Sequence, residues 1–244
     1  MKFVFAHVSL LFVLLALVAC REQDALREMA RVDRVLIPAL ALTSEGQLTE
    51  RTVMAVKTLK VDWPLFEHEA RGGPWEEALM SARDMVFQAD ARIDRHEPLL
   101  AHQALEAVRG TLYEGRRRAG VQYFPDRLVA FHKVLQSMMG VVRGKAPADL
   151  TEGDVRRLAE LLGEAEAHWQ QAEGAEFTPE VYGFSEEKAG LLAERMQRVR
   201  RALASCGTAL RAGDPDSILT YVLRLRAPFE EVYFLFGDFE GLAL

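Results

Sequence analysis

The sequence predicts an all-α fold built as a tandem duplication of four-helix bundles, about eight helices in all. Three observations predict it. Apolar residues recur at three–four spacing through most of the 244-residue chain. Proline and glycine fall where helices start and stop. No run alternates with period two for long enough to make a strand.

The helices are expected at 23–43, 49–70, 75–96, 98–119, 125–143, 151–173, 186–212 and 215–236. Pro74, Pro98, Pro125 and Pro215 stand at first-turn positions, where the missing N–H has no helical partner to lose. Gly120, Gly144, Gly174, Gly213 and Gly237 follow helix ends. Pro38, Pro64 and Pro228 fall inside helical patterns and should kink or shorten them. The fifth helix offers Leu128, Phe131, Leu135, Met138 and Val142 on one face. The sixth offers Val155, Leu158, Leu162, Ala165 and Trp169. The last offers Ile218, Val222, Leu225, Phe229, Val232 and Phe236, while Tyr233, Phe234 and Phe239 turn elsewhere and should close the bundle end.

A repeat supports two units. A shift of 102 residues lays Asp24 on Asp126, Leu26 on Leu128, Val32 on Val134 and Leu48-Thr49-Glu50 on Leu150-Thr151-Glu152. Towards the ends a shift of 117 lays Pro98, Leu105, Val108 and Arg109 on Pro215, Val222, Leu225 and Arg226. The expected division is a leader over 1–19, a first unit over 20–120 and a second over 121–244, with loops at Ala146–Leu150 and Gly174–Phe184.

The leader carries the clearest signal. Met1-Lys2 precedes an apolar run from Phe3, and the run closes on Leu17-Val18-Ala19-Cys20. A basic start, a short apolar core and a small residue at its end make a secretory signal. The run is short for a transmembrane helix and His7 interrupts it. The cysteine after the small residue resembles the lipobox of bacterial lipoproteins. That resemblance implies a signal peptide cut before Cys20, with the cysteine acylated by more than one chain, palmitate among them. Arg21 stands where an aspartate would imply inner-membrane retention. The resemblance therefore implies the periplasmic side of the outer membrane of a Gram-negative cell. A single acyl chain holds a protein only marginally, which is why several are needed.

Composition narrows the function further. The full chain carries a formal charge of −6, and removing the leader takes away the cation Lys2. That balance disfavours nucleic acid as a partner. The one basic run, Arg116-Arg117-Arg118, closes a helix and is expected to be a solvated cap. If Cys20 carries lipid, Cys206 is the remaining cysteine, and no disulfide within the chain is possible. Cys206 shares a helical face with Leu192, Met196, Val199 and Leu203, which predicts a buried thiol.

Catalytic signatures are missing: the sequence has no phosphate loop, no Gly-x-Ser-x-Gly and no His-Glu-x-x-His. The segments Glu67-His68-Glu69 and Arg95-His96-Glu97 read as solvated charge near helix ends. The candidate ligand-binding residues are His102, Glu106 and Arg109, with Asp126 and His132 on the next helix. His102, Glu106, Arg109 and Tyr113 form one polar stripe at i, i+4, i+7 and i+11. At the shift of 117, His102 and Glu106 meet Leu219 and Leu223. The first unit therefore either exposes that face or holds a polar site there. A surface Glu106–Arg109 pair is the plainer alternative.

In an antiparallel hairpin His102 would approach Met138 and Met139, and His132 would lie about 13 Å away along the axis. A histidine and a methionine facing each other in a bundle can ligate haem iron. Four-helix-bundle cytochromes of the b562 and c′ type are similar in fold class and compartment, though not in any motif. The chain lacks the paired Glu-x-x-His motifs of two-metal bundles. The expected role is noncatalytic: binding or scaffolding near the membrane, with an envelope protein or small ligand as partner and no required cofactor. The alternative is a haem- or transition-metal-binding bundle, with His102, Met138 and Met139 as weak candidate ligands.

Overall fold

In the computed structural model the backbone is described for residues 2–242, and side chains for 23–240 and 242. The side chain of Cys20, and with it the lipidation expectation, lies outside the described residues. Among the described residues the chain is helical with no strand. It divides into two compact units, the first ending at Val121 and the second running from Gln122 to Gly237. The C-terminal segment from Asp238 belongs to the first unit, where the sequence placed it with the second.

The first unit holds α1 (Lys2–Ser44), α2 (Glu50–Glu69), α3 (Glu76–Asp94) and α4 (Pro98–Arg118). Each helix packs on the next, and α4 returns to α1, so the four close into a bundle. Its core includes Leu36 and Ile37 of α1, Leu59 and Trp63 of α2, Leu79 and Val86 of α3, and Leu105 and Val108 of α4, all fully buried. Each such aliphatic side chain contributes about 1.5–3 kcal/mol relative to exposure. α3 and α4 approach closely where a Cβ on Gly115 would stand 2.2 Å from the Cβ of Ala78. Only glycine fits there.

The second unit holds α5 (Phe124–Val142), α6 (Glu152–Glu173), a single turn α7 (Pro179–Tyr182), α8 (Glu186–Ala212), α9 (Pro215–Leu223) and α10 (Arg226–Tyr233). Here α5 packs on α6, α6 on α8, and α8 on α9 and α10, which return to α5. The expected loop over 174–184 contains α7, and its aromatics are not solvent-facing. Phe177 stacks on Tyr182 with ring centroids 5.1 Å apart. Tyr182 accepts the backbone N–H of Phe124 at 3.2 Å on its hydroxyl. Phe236 joins the cluster through Phe124 and Phe184. Tyr233, expected to turn away from the core face, is buried and stacked on Phe229.

Sequence and structure differ most at the prolines. The last expected helix, 215–236, is broken into α9, α10 and a 3-10 turn, Phe234–Phe236. Pro228 has no N–H for the carbonyl of Arg224, so the first helix stops there. Pro228 then occupies the first turn of α10, where a proline is tolerated. The apolar stripe survives the break, since Ile218, Val222, Leu225, Phe229, Val232 and Phe236 are all buried. Pro38 and Pro64, by contrast, lie inside helices that continue through them.

Two caps mark corresponding turns. Thr49 accepts the Thr52 N–H at the start of α2, and Thr52 reciprocates. Thr151 does the same with Asp154 at the start of α6. Such boxes satisfy donors that a helix N-terminus otherwise leaves open. Asp154 also takes an ion pair from Lys145 at 2.7 Å. The Lys145 bond and the Thr151 bonds together hold its carboxyl down at about 2.

Both cores carry one cost. The indole N–H groups of Trp63 and Trp169 are buried with no hydrogen-bond partner among the described residues. Each costs about 1–3 kcal/mol, offset by the apolar area the ring removes from water.

Candidate functional site

The α4 stripe turns one edge towards α1. His102 Nδ1 lies 3.1 Å from the carbonyl oxygen of Leu40 and 3.2 Å from Thr43 Oγ1. Thr43 donates its hydroxyl hydrogen to the Ala39 carbonyl at 2.7 Å. The network therefore assigns the proton to His102 Nδ1, which donates towards Leu40. His102 Nε2 stands 3.5 Å from Glu106 Oε1, an ionic contact only while the ring carries both protons. Glu106 pairs in turn with Arg109. Arg109 is only 6% exposed, so this pair is not the surface pair of the plainer sequence reading. Tyr113 is half-buried at the end of the stripe.

Chemically, this is an oriented imidazole whose orienting partner is a main-chain carbonyl near the end of α1. Cations and imidazoles are favoured at helix C-termini, so the contact stabilises the α1–α4 seam. It ties two helices together and leaves His102 and Glu106 about equally open to solvent, at 23% and 24%.

The other candidates belong to the second unit. Asp126 sits in the first turn of α5, where a carboxylate complements the helix dipole. His132 is half-buried and stacked on Phe229, with centroids 5.1 Å apart and an 11° interplanar angle. Met138 is fully buried and Met139 half-buried. His102, Glu106 and Arg109 are thus grouped in one unit, and Asp126, His132, Met138 and Met139 in the other. Among the described residues no group of three or more His, Cys, Asp or Glu side chains is placed to hold a metal ion.

The sequence reading missed a charged seam between α2 and α3. Asp90 is 3% exposed and takes Lys57 at 3.2 Å and Lys60 on its other oxygen. Burial pulls the Asp90 carboxyl up, but the two lysine hydrogen bonds outweigh it and hold the acid below its ordinary range. Glu67, expected to be solvated, is buried and paired with Arg83 through both oxygens. Its neighbour Glu69 takes Arg31 at 2.7 Å. Arg116, expected in a solvated cap, is 1% exposed, whereas Arg117 and Arg118 are exposed. The signal was the register: residues 67, 90 and 116 fall on or beside the buried faces of their helices.

Cys206 is a free thiol, buried in α8. Burial first, and then the charge of Glu166, push its pKa up to about 11. No protein-family model, curated protein or solved structure matches this chain.

Proposed function

We propose that the chain is a lipid-anchored helical-bundle protein of the periplasmic side of the outer membrane, with a noncatalytic binding or scaffolding role close to the bilayer. The observation that carries this reading is Leu17-Val18-Ala19-Cys20 at the end of a basic-then-apolar leader. In this reading attachment falls to the acylated cysteine; among the described residues no helix is long and apolar enough to cross a membrane. The engagement of His102, Glu106 and Arg109 with α1 and with one another reads as a brace within the bundle, which favours a noncatalytic role. We also propose that the units arose by duplication. The matching capping boxes at Thr49 and Thr151 support this, as does the same cyclic order of helix packing in each unit.

The test is acyl labelling in a Gram-negative host. The wild-type chain should incorporate labelled palmitate and fractionate with the outer membrane. Cys20→Ala should lose both. Label retained by that variant would end the anchor reading. A Soret band or stoichiometric transition metal in the purified protein would replace the noncatalytic reading with the haem or metal one.

A further inference from the structure

The chain leaves the first unit at Val121 and comes back to it at Asp238. The second unit is therefore spliced between α4 and a short C-terminal segment. That segment crosses α1, where the Asp238 N–H donates to the Arg34 carbonyl at 2.8 Å, and its 3-10 turn Glu240–Leu242 packs on α2. Leu242 is 8% exposed. Pro38 has no N–H to compete for the Arg34 oxygen, so the seat on α1 is kept open for a donor from elsewhere.

The hold is thin beside that of the helices. Asp238 and Glu240 are exposed and Phe239 is half-buried. Two further bonds are internal to the segment. The Glu240 N–H donates to Asp238 Oδ1 at 3.0 Å, and the Leu242 N–H to the Phe239 carbonyl at 3.2 Å. Such bonds shape the turn without fixing it to α1 or α2. Gly237, just before it, is extended and carries no side chain to pack. The helices beneath share the fully buried Leu36, Leu59, Val86 and Leu105. A segment with few buried apolar contacts opens at a smaller free energy than the core it covers.

We propose that the C-terminal segment is a latch, which opens while the four helices of the first unit stay folded. Closed, it fixes both ends of the second unit's chain to the first unit. Open, it leaves the units joined at Val121–Gln122 alone and bares the Arg34 carbonyl and the seat of Leu242. The chain thus has two states that differ in the freedom of the second unit. The inference stands apart from the anchor reading, because no part of it uses Cys20.

The test uses the full purified chain. Leu242→Cys probes the latch, and Ala101→Cys, fully buried in α4, reports opening of the bundle. Labelling by a disulfide reagent is read peptide by peptide in a mass spectrometer, so that Cys20 and Cys206 are scored separately. The thiol at 242 should react at least about tenfold faster than the thiol at 101 and at least about tenfold slower than in urea, the pattern of local opening. Equal rates at 242 and 101 would mean that the segment opens only with the bundle. A rate at 242 equal to that in urea would mean that it is not docked. Either result overturns the latch. Amide exchange in the unmutated chain gives a reading that needs no substitution. The Asp238 amide should exchange faster than those of Leu105 and Val108, and matching protection would again overturn the latch. Nitrogen-15 relaxation tests the tether: the second unit should have a shorter correlation time in a chain ended at Gly237 than in the full chain. An unchanged time would overturn the role given to the latch in holding that unit.

Discussion

The backbone N–H of Asp238 donates to the carbonyl oxygen of Arg34 at 2.8 Å. Pro38 is the reason that oxygen accepts from so far along the chain. In an unbroken helix the N–H four residues on would occupy it, and proline has none. The C-terminal segment thus supplies a donor that α1 lacks, and Leu242 is buried a few residues later.

Pro38→Ala should therefore loosen the tail. The new N–H competes for the Arg34 carbonyl, and the Asp238 amide should lose hydrogen-exchange protection while α1 gains it. Ending the chain at Gly237 should lower the stability of the first unit by about 0.5–1.5 kcal/mol for the lost Asp238 hydrogen bond, with the burial of Leu242 lost as well. Unchanged protection at residue 238 in Pro38→Ala would contradict this account.

Asp90 should dominate the acid sensitivity of the first unit. Its folded-state pKa is depressed below the ordinary 3.8, so its contribution is fully present above that value. It is lost as pH falls from about 3.8 through the folded value. Asp90→Asn should lower the thermal midpoint at pH 7 and flatten the pH dependence in that acidic window. A variant whose melting profile still tracks wild type below pH 4 would assign the acid sensitivity elsewhere.

His102 should behave as a brace. His102→Ala removes the donor to Leu40 and should cost the first unit about 0.5–1.5 kcal/mol, typical of one hydrogen bond. Urea denaturation followed by amide exchange would place the loss at the α1–α4 seam. A stability equal to wild type, with any ligand binding lost, would instead make His102 a binding residue.

Cys206 should be chemically silent in the folded protein. With its thiol pushed to about 11, little thiolate exists near neutrality, and burial blocks access. Reaction with a disulfide reagent should follow unfolding, rising steeply across the urea transition. Rapid labelling of the native chain at pH 7.5 would place Cys206 at the surface.

Helix positions were largely readable because each apolar stripe repeats with the period of the helix it builds. The expected 186–212 matches α8 end to end. The stripe of Ile218, Val222 and Leu225 through Phe236 was legible as one face, and the kink or shortening expected at Pro228 is a full break into α9 and α10. A stripe reports which side is buried, whereas a proline's effect depends on its surroundings. Pro228 ends a helix and starts another, while Pro38 sits in an α1 whose orphaned carbonyl finds Asp238. The candidate stripe on α4 was legible as a pattern, since His102, Glu106 and Arg109 share one edge by spacing alone. Its partner, Leu40, contributes a main-chain oxygen, and a main-chain oxygen leaves no mark on residue type.

By itself the sequence determined the helical class, the buried Cys206 and the leader with its Cys20 motif as written. These depend on neighbours within a few residues, where periodicity, capping and composition act. The tertiary structure alone decided the rest. It buried Arg116, paired Glu67 and Asp90 with cations across the α2–α3 seam, gave the Arg34 carbonyl to Asp238, and turned His102 towards Leu40. Such contacts join residues tens to hundreds of positions apart. Their energies depend on desolvation and on which helices close the bundle, and neither quantity is local in the chain.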